Sequence, residues 1–257
     1  MQLPSDPPAV GALCALLMSA GVRCVRKRRL LVSAITRRVL ARLDDGPVKE
    51  AVRASVEFGE QLSYDADGEE GDERTRLIRS YDRRQLIQPV ADVIRRLREP
   101  IEAAGEYSRS PTYWVLSAAY RPLDDDAIIT SAGNNFGWAA RTAIICQEQQ
   151  AYDPEWRDLE VFRHADFQEA EQQLALGRDI FGGLSPSANF SADWRTDTVL
   201  TLARTMYESR EFGAMPILAD ALQDAGCDNT DILDHCRNTK PVHVRGCWVV
   251  DLVLSKN

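Results

Sequence analysis

Residues 31–56 read LVSAITRRVLARLDDGPVKEAVRASV, and the spacing of their apolar side chains decides the fold class. Leu31, Ile35, Val39 and Leu43 recur every four positions with arginines between them, which is the period of one face of an α-helix. Asp44-Asp45-Gly46-Pro47 breaks the pattern, and Val48, Val52 and Val56 resume it. The two segments predict a helical hairpin whose first helix has a basic outer face. The same period returns in Ile87, Val90, Ile94, Leu97 and Ile101. Pro89 and Pro100 punctuate that run, and proline suits the first turn of a helix better than its interior.

Further along, Asp153-Pro154 predicts an N-cap and first-turn proline opening a helix with Trp156, Leu159 and Phe162 on one side. Asp166 with Glu169 predicts a capping box for a second helix that stops at Gly182-Gly183. Thr196 or Asp197 caps a stripe of Val199, Ala203, Met206 and Arg210. Pro216 starts a helix bearing Ile217, Leu218, Ala221 and Leu222, which Gly226 ends. Asp228 is expected to cap a short helix through Cys236. The run CWVVDLVL, residues 247–254, fits helix or strand, and its helical neighbours favour helix. Arg121 to Trp138 is the least helical stretch, and its three aspartates, Asp124 to Asp126, lack the alternating oxygens of a calcium loop. The expected fold is all-α, an irregular multi-helix array with a compact C-terminal helical module. The expected segments are 1–62 with the basic helix, 63–75 as an acidic loop, 76–184 as a central helical region and 185–257 as the module.

The 257 residues are 44% hydrophobic and 27% charged, which excludes collagen-like, mucin-like and disordered chains. A chain of this size buries a core without covalent staples. Val10 to Val22 is shorter than the roughly 20 apolar residues of a membrane span. Asp6 and three prolines precede it instead of a basic region, so it reads as a buried helix and not a signal peptide. Cys14, Cys24, Cys146, Cys227, Cys236 and Cys247 lack the density of a disulfide scaffold, which points to reduced thiols and a cytoplasmic location.

The net charge of −8 conceals two blocks. Arg23, Arg26, Lys27, Arg28, Arg29, Arg37, Arg38 and Arg42 form a basic stretch without an acid. Glu57, Glu60, Asp65, Asp67, Glu69, Glu70, Asp72 and Glu73 form an acidic stretch without a base. One use of the first block is to face the second within the fold. The other is an anionic partner, since clustered arginine is the footprint of nucleic-acid binding. No aromatic residue is interleaved for base stacking and the whole chain is acidic, so a protein partner is preferred, with neither membrane nor nucleic acid expected.

Chemistry-bearing side chains concentrate at the C-terminal end, where Cys227, His235, Cys236, His243 and Cys247 lie within residues 227–247. Thiolate and imidazole together are what a zinc site needs. The chain has no C-x2-C or H-x3-H pair, and only His243-x3-Cys247 has a ligand-like interval. On a helix those two side chains come within about 6 Å, whereas on a strand they stand about 13 Å apart. The first reading is that the cysteines are small buried hydrophobes and the histidines hydrogen-bond at helix ends. The alternatives are a structural metal, or a reactive thiol with Cys227 the first candidate because it precedes a helix N-terminus. A thiol hydrolase pairing Cys236 or Cys247 with His235 or His243 stays open. Phosphate-binding loops, G-x-G-x-x-G, H-E-x-x-H and G-x-S-x-G do not occur. The only other histidine is His164. A non-catalytic intracellular interaction or regulatory protein is therefore expected, with a metal- or thiol-dependent enzyme, or a structural metal site, on the C-terminal cluster as the alternative.

The segments WRTDTVLTLARTMYESREF (194–212), MPILADALQDAGC (215–227), DILDHCR (231–237) and HVRGCWVVDLVL (243–254) resemble the C-terminal signature of a paralogue-rich, uncharacterised bacterial family common in planctomycetes. The likeness is dense from Asp193 to Lys256. A weaker echo at Lys27 to Phe58 has an Arg-rich helix followed by a second amphipathic one, with Ser33 and Ala34 where such proteins have a cysteine pair. The resemblance implies an intracellular, mostly helical protein and brings no activity, substrate or catalytic residue.

Overall fold

The computed structural model describes residues 25–65, 73–105, 110–120, 123, 142, 144, 160–182, 190–239 and 243–256. Among them every regular element is helical and no strand occurs, so the fold is all-α, as the spacing predicts. The chain divides into two compact units between Leu174 and Ala175, inside a helix.

In the first unit, α1 (Val25–Leu40) packs against α2 (Pro47–Asp65), the predicted hairpin. Leu31, Ile35, Val39, Val52 and Val56 are buried in its seam. Helices α3 (Glu73–Ala103) and α4 (Pro111–Tyr120) pack against α2, adding Val90, Ile94, Val115 and Leu116 to the core. Two hydroxyls tie the hairpin to the end of α4, where Thr36 Oγ1 donates to the Ala118 carbonyl at 3.3 Å and Ser55 Oγ donates to that of Ala119. Such bonds satisfy carbonyls that the last turn of a helix leaves without an internal partner.

Three expectations change here. Pro89 and Pro100 sit inside α3, both on its exposed side, where water can serve the carbonyls a proline leaves unbonded. The acidic segment is helical at both ends, since α2 runs to Asp65 and α3 begins at Glu73. The basic face of α1 is not wholly an outer face. Arg26 and Arg29 are buried, Arg37 donates to Glu60 at 2.5 Å, and Arg38 donates two bonds of 2.7 Å to the buried Glu169 carboxylate. The helix therefore spends part of its charge inside the fold, with Glu60 supplied by the acidic block. The expectations for the Asp153-Pro154 helix, the aspartates at 124–126 and the segment Val10 to Val22 fall outside the described residues.

Helix α5 (Glu160–Phe181) is continuous, so Asp166 is an interior residue and not a cap. Its last two turns belong to the second unit, with α6 (Asp197–Ser209), α7 (Met215–Asp224), α8 (Thr230–Arg237) and α9 (Trp248–Val253). Thr196 caps α6 by accepting from the Val199 amide at 3.4 Å. Asn229, and not Asp228, caps α8, accepting from the Ile232 amide at 3.2 Å. Gly226, at φ 88°, ends α7 while the Cys227 amide bonds back to the Leu222 carbonyl at 2.9 Å. Val199, Ala203, Met206, Leu218, Leu222, Ile232, Val249, Val250 and Val253 fill one core, whereas Ile217 is 58% exposed and does not join it. Arg195 closes the C-terminal end of α9 by donating to the carbonyls of Val253 and Leu252 at 3.0 and 2.9 Å. No helix among the described residues is long and apolar enough to cross a membrane.

Candidate metal centre

Four side chains of the second unit converge: Asp179, His235, His243 and Cys247 each place one donor atom within 4.8 Å of all the others. Asp179 is in the last turn of α5, which Gly182 ends in the left-handed region at φ 77°. A Cβ at Gly182 would meet the Trp248 ring at 3.5 Å, an ordinary contact, so it is the left-handed backbone and not the space that favours glycine there. His235 lies in the last turn of α8, 5.2 Å from the same indole. His243 and Cys247 flank a turn in which the Cys247 amide bonds to the Val244 carbonyl at 2.9 Å and Gly246 takes φ 95°. Cys247 then leads into α9. The His243-x3-Cys247 interval thus brings Nδ1 and Sγ to 4.0 Å through a turn, not along a helix face as the spacing suggested.

The geometry is radial. His243 Nδ1 is 2.7 Å and His235 Nε2 is 3.2 Å from the same oxygen, Asp179 Oδ1. His235 Nε2 is also 3.2 Å from Cys247 Sγ. The second Asp179 oxygen accepts the Val244 amide at 2.9 Å, and His243 Nε2 lies 3.3 Å from the Asn238 carbonyl. A thiol–imidazole–carboxylate relay uses one imidazole nitrogen for the thiol and the other for the acid. Here each histidine turns the same nitrogen to both, so the arrangement is not that of a relay. Cys247 is fully buried, and the side chains of Asp179, His243 and His235 are 1%, 6% and 16% exposed.

Electrostatics follow from that enclosure. Burial pushes the Asp179 carboxyl up, but hydrogen bonds from His235 and His243 and the attraction of both imidazoles outweigh it and hold the carboxyl below its ordinary range. Burial, reinforced by the Asp179 carboxylate, pushes the Cys247 thiol well above its usual range. Cys236 is pushed up to about 12, by burial first and then by Cys227 and Asp179. Cys227 is raised too, by burial and by Asp228, with only a bond from the Asn229 backbone opposing. Burial thus opposes the helix-terminus argument for a reactive Cys227.

Of the five residues singled out by composition, the structure brings together His235, His243 and Cys247. Cys227 and Cys236 pack in the hydrophobic core of the unit as small apolar side chains. His164 is exposed, 2.8 Å from Gln168. Asp179 was missed. Its signal in the sequence is an acid in the last turn of a helix, where the macrodipole disfavours negative charge unless a compensating group stands nearby. No protein-family model, no curated protein and no solved structure matches this chain.

Proposed function

We propose that this is a non-catalytic cytoplasmic protein that works by binding a protein partner, its C-terminal unit being a rigid helical module. The observation that carries this reading is the enclosure of the Asp179, His235, His243 and Cys247 group. Its thiol has no exposed surface and is held protonated, and neither histidine is oriented to pass a proton between thiol and acid. A nucleophilic site needs an accessible, ionisable sulfur with a base on one side and an orienting acid on the other side of that base. The burial of Arg26 and Arg29 and the pairing of Arg37 and Arg38 also favour a protein partner over nucleic acid, because those charges are engaged within the fold. The likeness of residues 193–256 to the planctomycete-type family belongs with this reading, and most of the second unit falls within that block.

The test is labelling of the native, chelator-treated chain with a thiol-reactive acylating probe at neutral pH, mapped by peptide mass. Cys247 is expected to stay unlabelled until the protein is denatured. Stoichiometric native labelling of Cys247, with turnover of the probe ester, would overturn the non-catalytic reading. Cross-linking of the same chain in a cell extract is expected to give a discrete protein adduct that survives nuclease treatment. An adduct lost on nuclease treatment would overturn the protein-partner reading.

A further inference from the structure

We infer that Asp179, His235, His243 and Cys247 bind one divalent ion of the zinc class, a structural centre tying together the last turns of α5 and α8 and the turn that starts α9. This goes beyond the non-catalytic reading and is tested separately from it. Distances are the first support. A tetrahedral zinc ion with bonds of about 2.0–2.3 Å holds its donors roughly 3.3–3.7 Å apart. The separations here are 2.7 and 3.2 Å from Asp179 to the two imidazoles, and 3.2 and 4.0 Å from Cys247 to them, with every pair inside 4.8 Å. They scatter around the tetrahedral value, so the ion needs only small rotations of the four side chains.

The outward sides of the ligands are the second support, independent of the first. Metal-bound histidine characteristically donates its other ring N–H to a carbonyl or carboxylate, which fixes the tautomer and aims the remaining lone pair. The Asn238 carbonyl, 3.3 Å from His243 Nε2, is placed to accept that N–H once Nδ1 turns its lone pair to the ion. The Val244 amide likewise occupies Oδ2 of Asp179 and leaves Oδ1 facing inward.

Once bound, the ion balances the charge of the Asp179 carboxylate and of the thiolate that Cys247 becomes, with the imidazoles neutral. The Cys247 thiol gives up its proton to solvent as the sulfur–metal bond forms, one proton per ion bound, and Asp179 enters already ionised. One sulfur and two imidazole nitrogens exclude magnesium and calcium, which take oxygen. Four protein ligands leave no coordination position for substrate, which makes the centre structural.

The experiment uses the purified, untagged full chain, stripped with chelator and titrated with cobalt(II), then with zinc. One cobalt per chain is expected, with the visible bands of tetrahedral cobalt and a thiolate-to-cobalt charge-transfer band, all lost when zinc displaces it. Cys247→Ser is expected to abolish the charge-transfer band and Cys236→Ser to keep it. His235→Gln is expected to weaken zinc binding by more than the roughly tenfold cost of losing even a supporting partner. Because a variant at a buried position can lose its fold, X-ray absorption on the zinc-loaded wild type gives a second reading, expected to show one sulfur among nitrogen and oxygen. A wild type without the charge-transfer band, a band that persists in Cys247→Ser, or a zinc shell without sulfur would overturn the proposal.

Discussion

Replacing Asp179 by asparagine isolates the anionic charge at the centre of the C-terminal unit while keeping its shape. The carboxylate accepts three hydrogen bonds in an environment where its side chain is 1% exposed: the Val244 amide at 2.9 Å, His243 at 2.7 Å and His235 at 3.2 Å. The asparagine oxygen can keep the Val244 bond. Its amide group then faces two imidazoles that previously met an anion. Hydrogen bonds to a charged group contribute about 1.5–3 kcal/mol each, and the neutral replacements recover about 0.5–1.5 kcal/mol each. The net loss comes to roughly 3–4.5 kcal/mol over the three bonds in metal-free buffer. In a cooperative unit of this size each kcal/mol lowers the midpoint by about 4–8 °C, so the shift is large. The assay is urea unfolding of the full chain in the presence of chelator, with hydrogen exchange mapped by mass spectrometry to place the loss. Peptides covering Val244 to Val250 should lose protection while those from α1 and α2 do not. A destabilisation below about 0.5 kcal/mol, the scale of a neutral surface change, would refute the electrostatic reasoning. So would unchanged protection at Val244.

Neighbouring residues on α7 give a sharp contrast: Leu218→Ala should cost about 2–5 kcal/mol from a fully buried position, and Ile217→Ser, 58% exposed, should stay within about 0.5 kcal/mol. Thr196→Ala removes the α6 cap and should cost about 1 kcal/mol by denaturant titration, with Thr196→Asn restoring it. Gly182→Ala forces a side chain into the left-handed region, so a loss of about 1–2 kcal/mol is expected, read from the thermal midpoint. Alkylation of the native chain between pH 7 and 9 should spare Cys236, because its thiol, pushed up to about 12, is almost wholly protonated throughout that window. Quantitative labelling of Cys236 at pH 8 would contradict its burial.

Much of the fold was legible because helical period and turn chemistry are local properties. Leu31, Ile35 and Val39 announced their buried face, Thr196 and Gly226 their boundaries. What failed to read correctly depended on tertiary context. Pro89 and Pro100 look like helix starts until the rest of α3 is seen to run through them. Asp166 looks like a cap until α5 continues upstream of it. Arg26 and Arg29 look like surface charge, and only long-range packing buries them. The site divides the same way. His235, His243 and Cys247 stood out by rarity in a chain with three histidines, whereas Asp179 is one of 39 acids and becomes distinctive only when the end of α5 meets the turn before α9.

Where Asp179 comes from bears on what can be moved between proteins as a piece. Three of the four converging donors lie within residues 235–247, and the fourth is far upstream of them, on the helix Glu160–Phe181. A fragment begun at residue 185 or 193 would keep two imidazoles and a thiol, yet strip them and the Val244 amide of the acceptor they share. The transplantable cassette is therefore longer than the stretch that holds those three donors. An excised or fused version has to carry α5 with it if the module is to close.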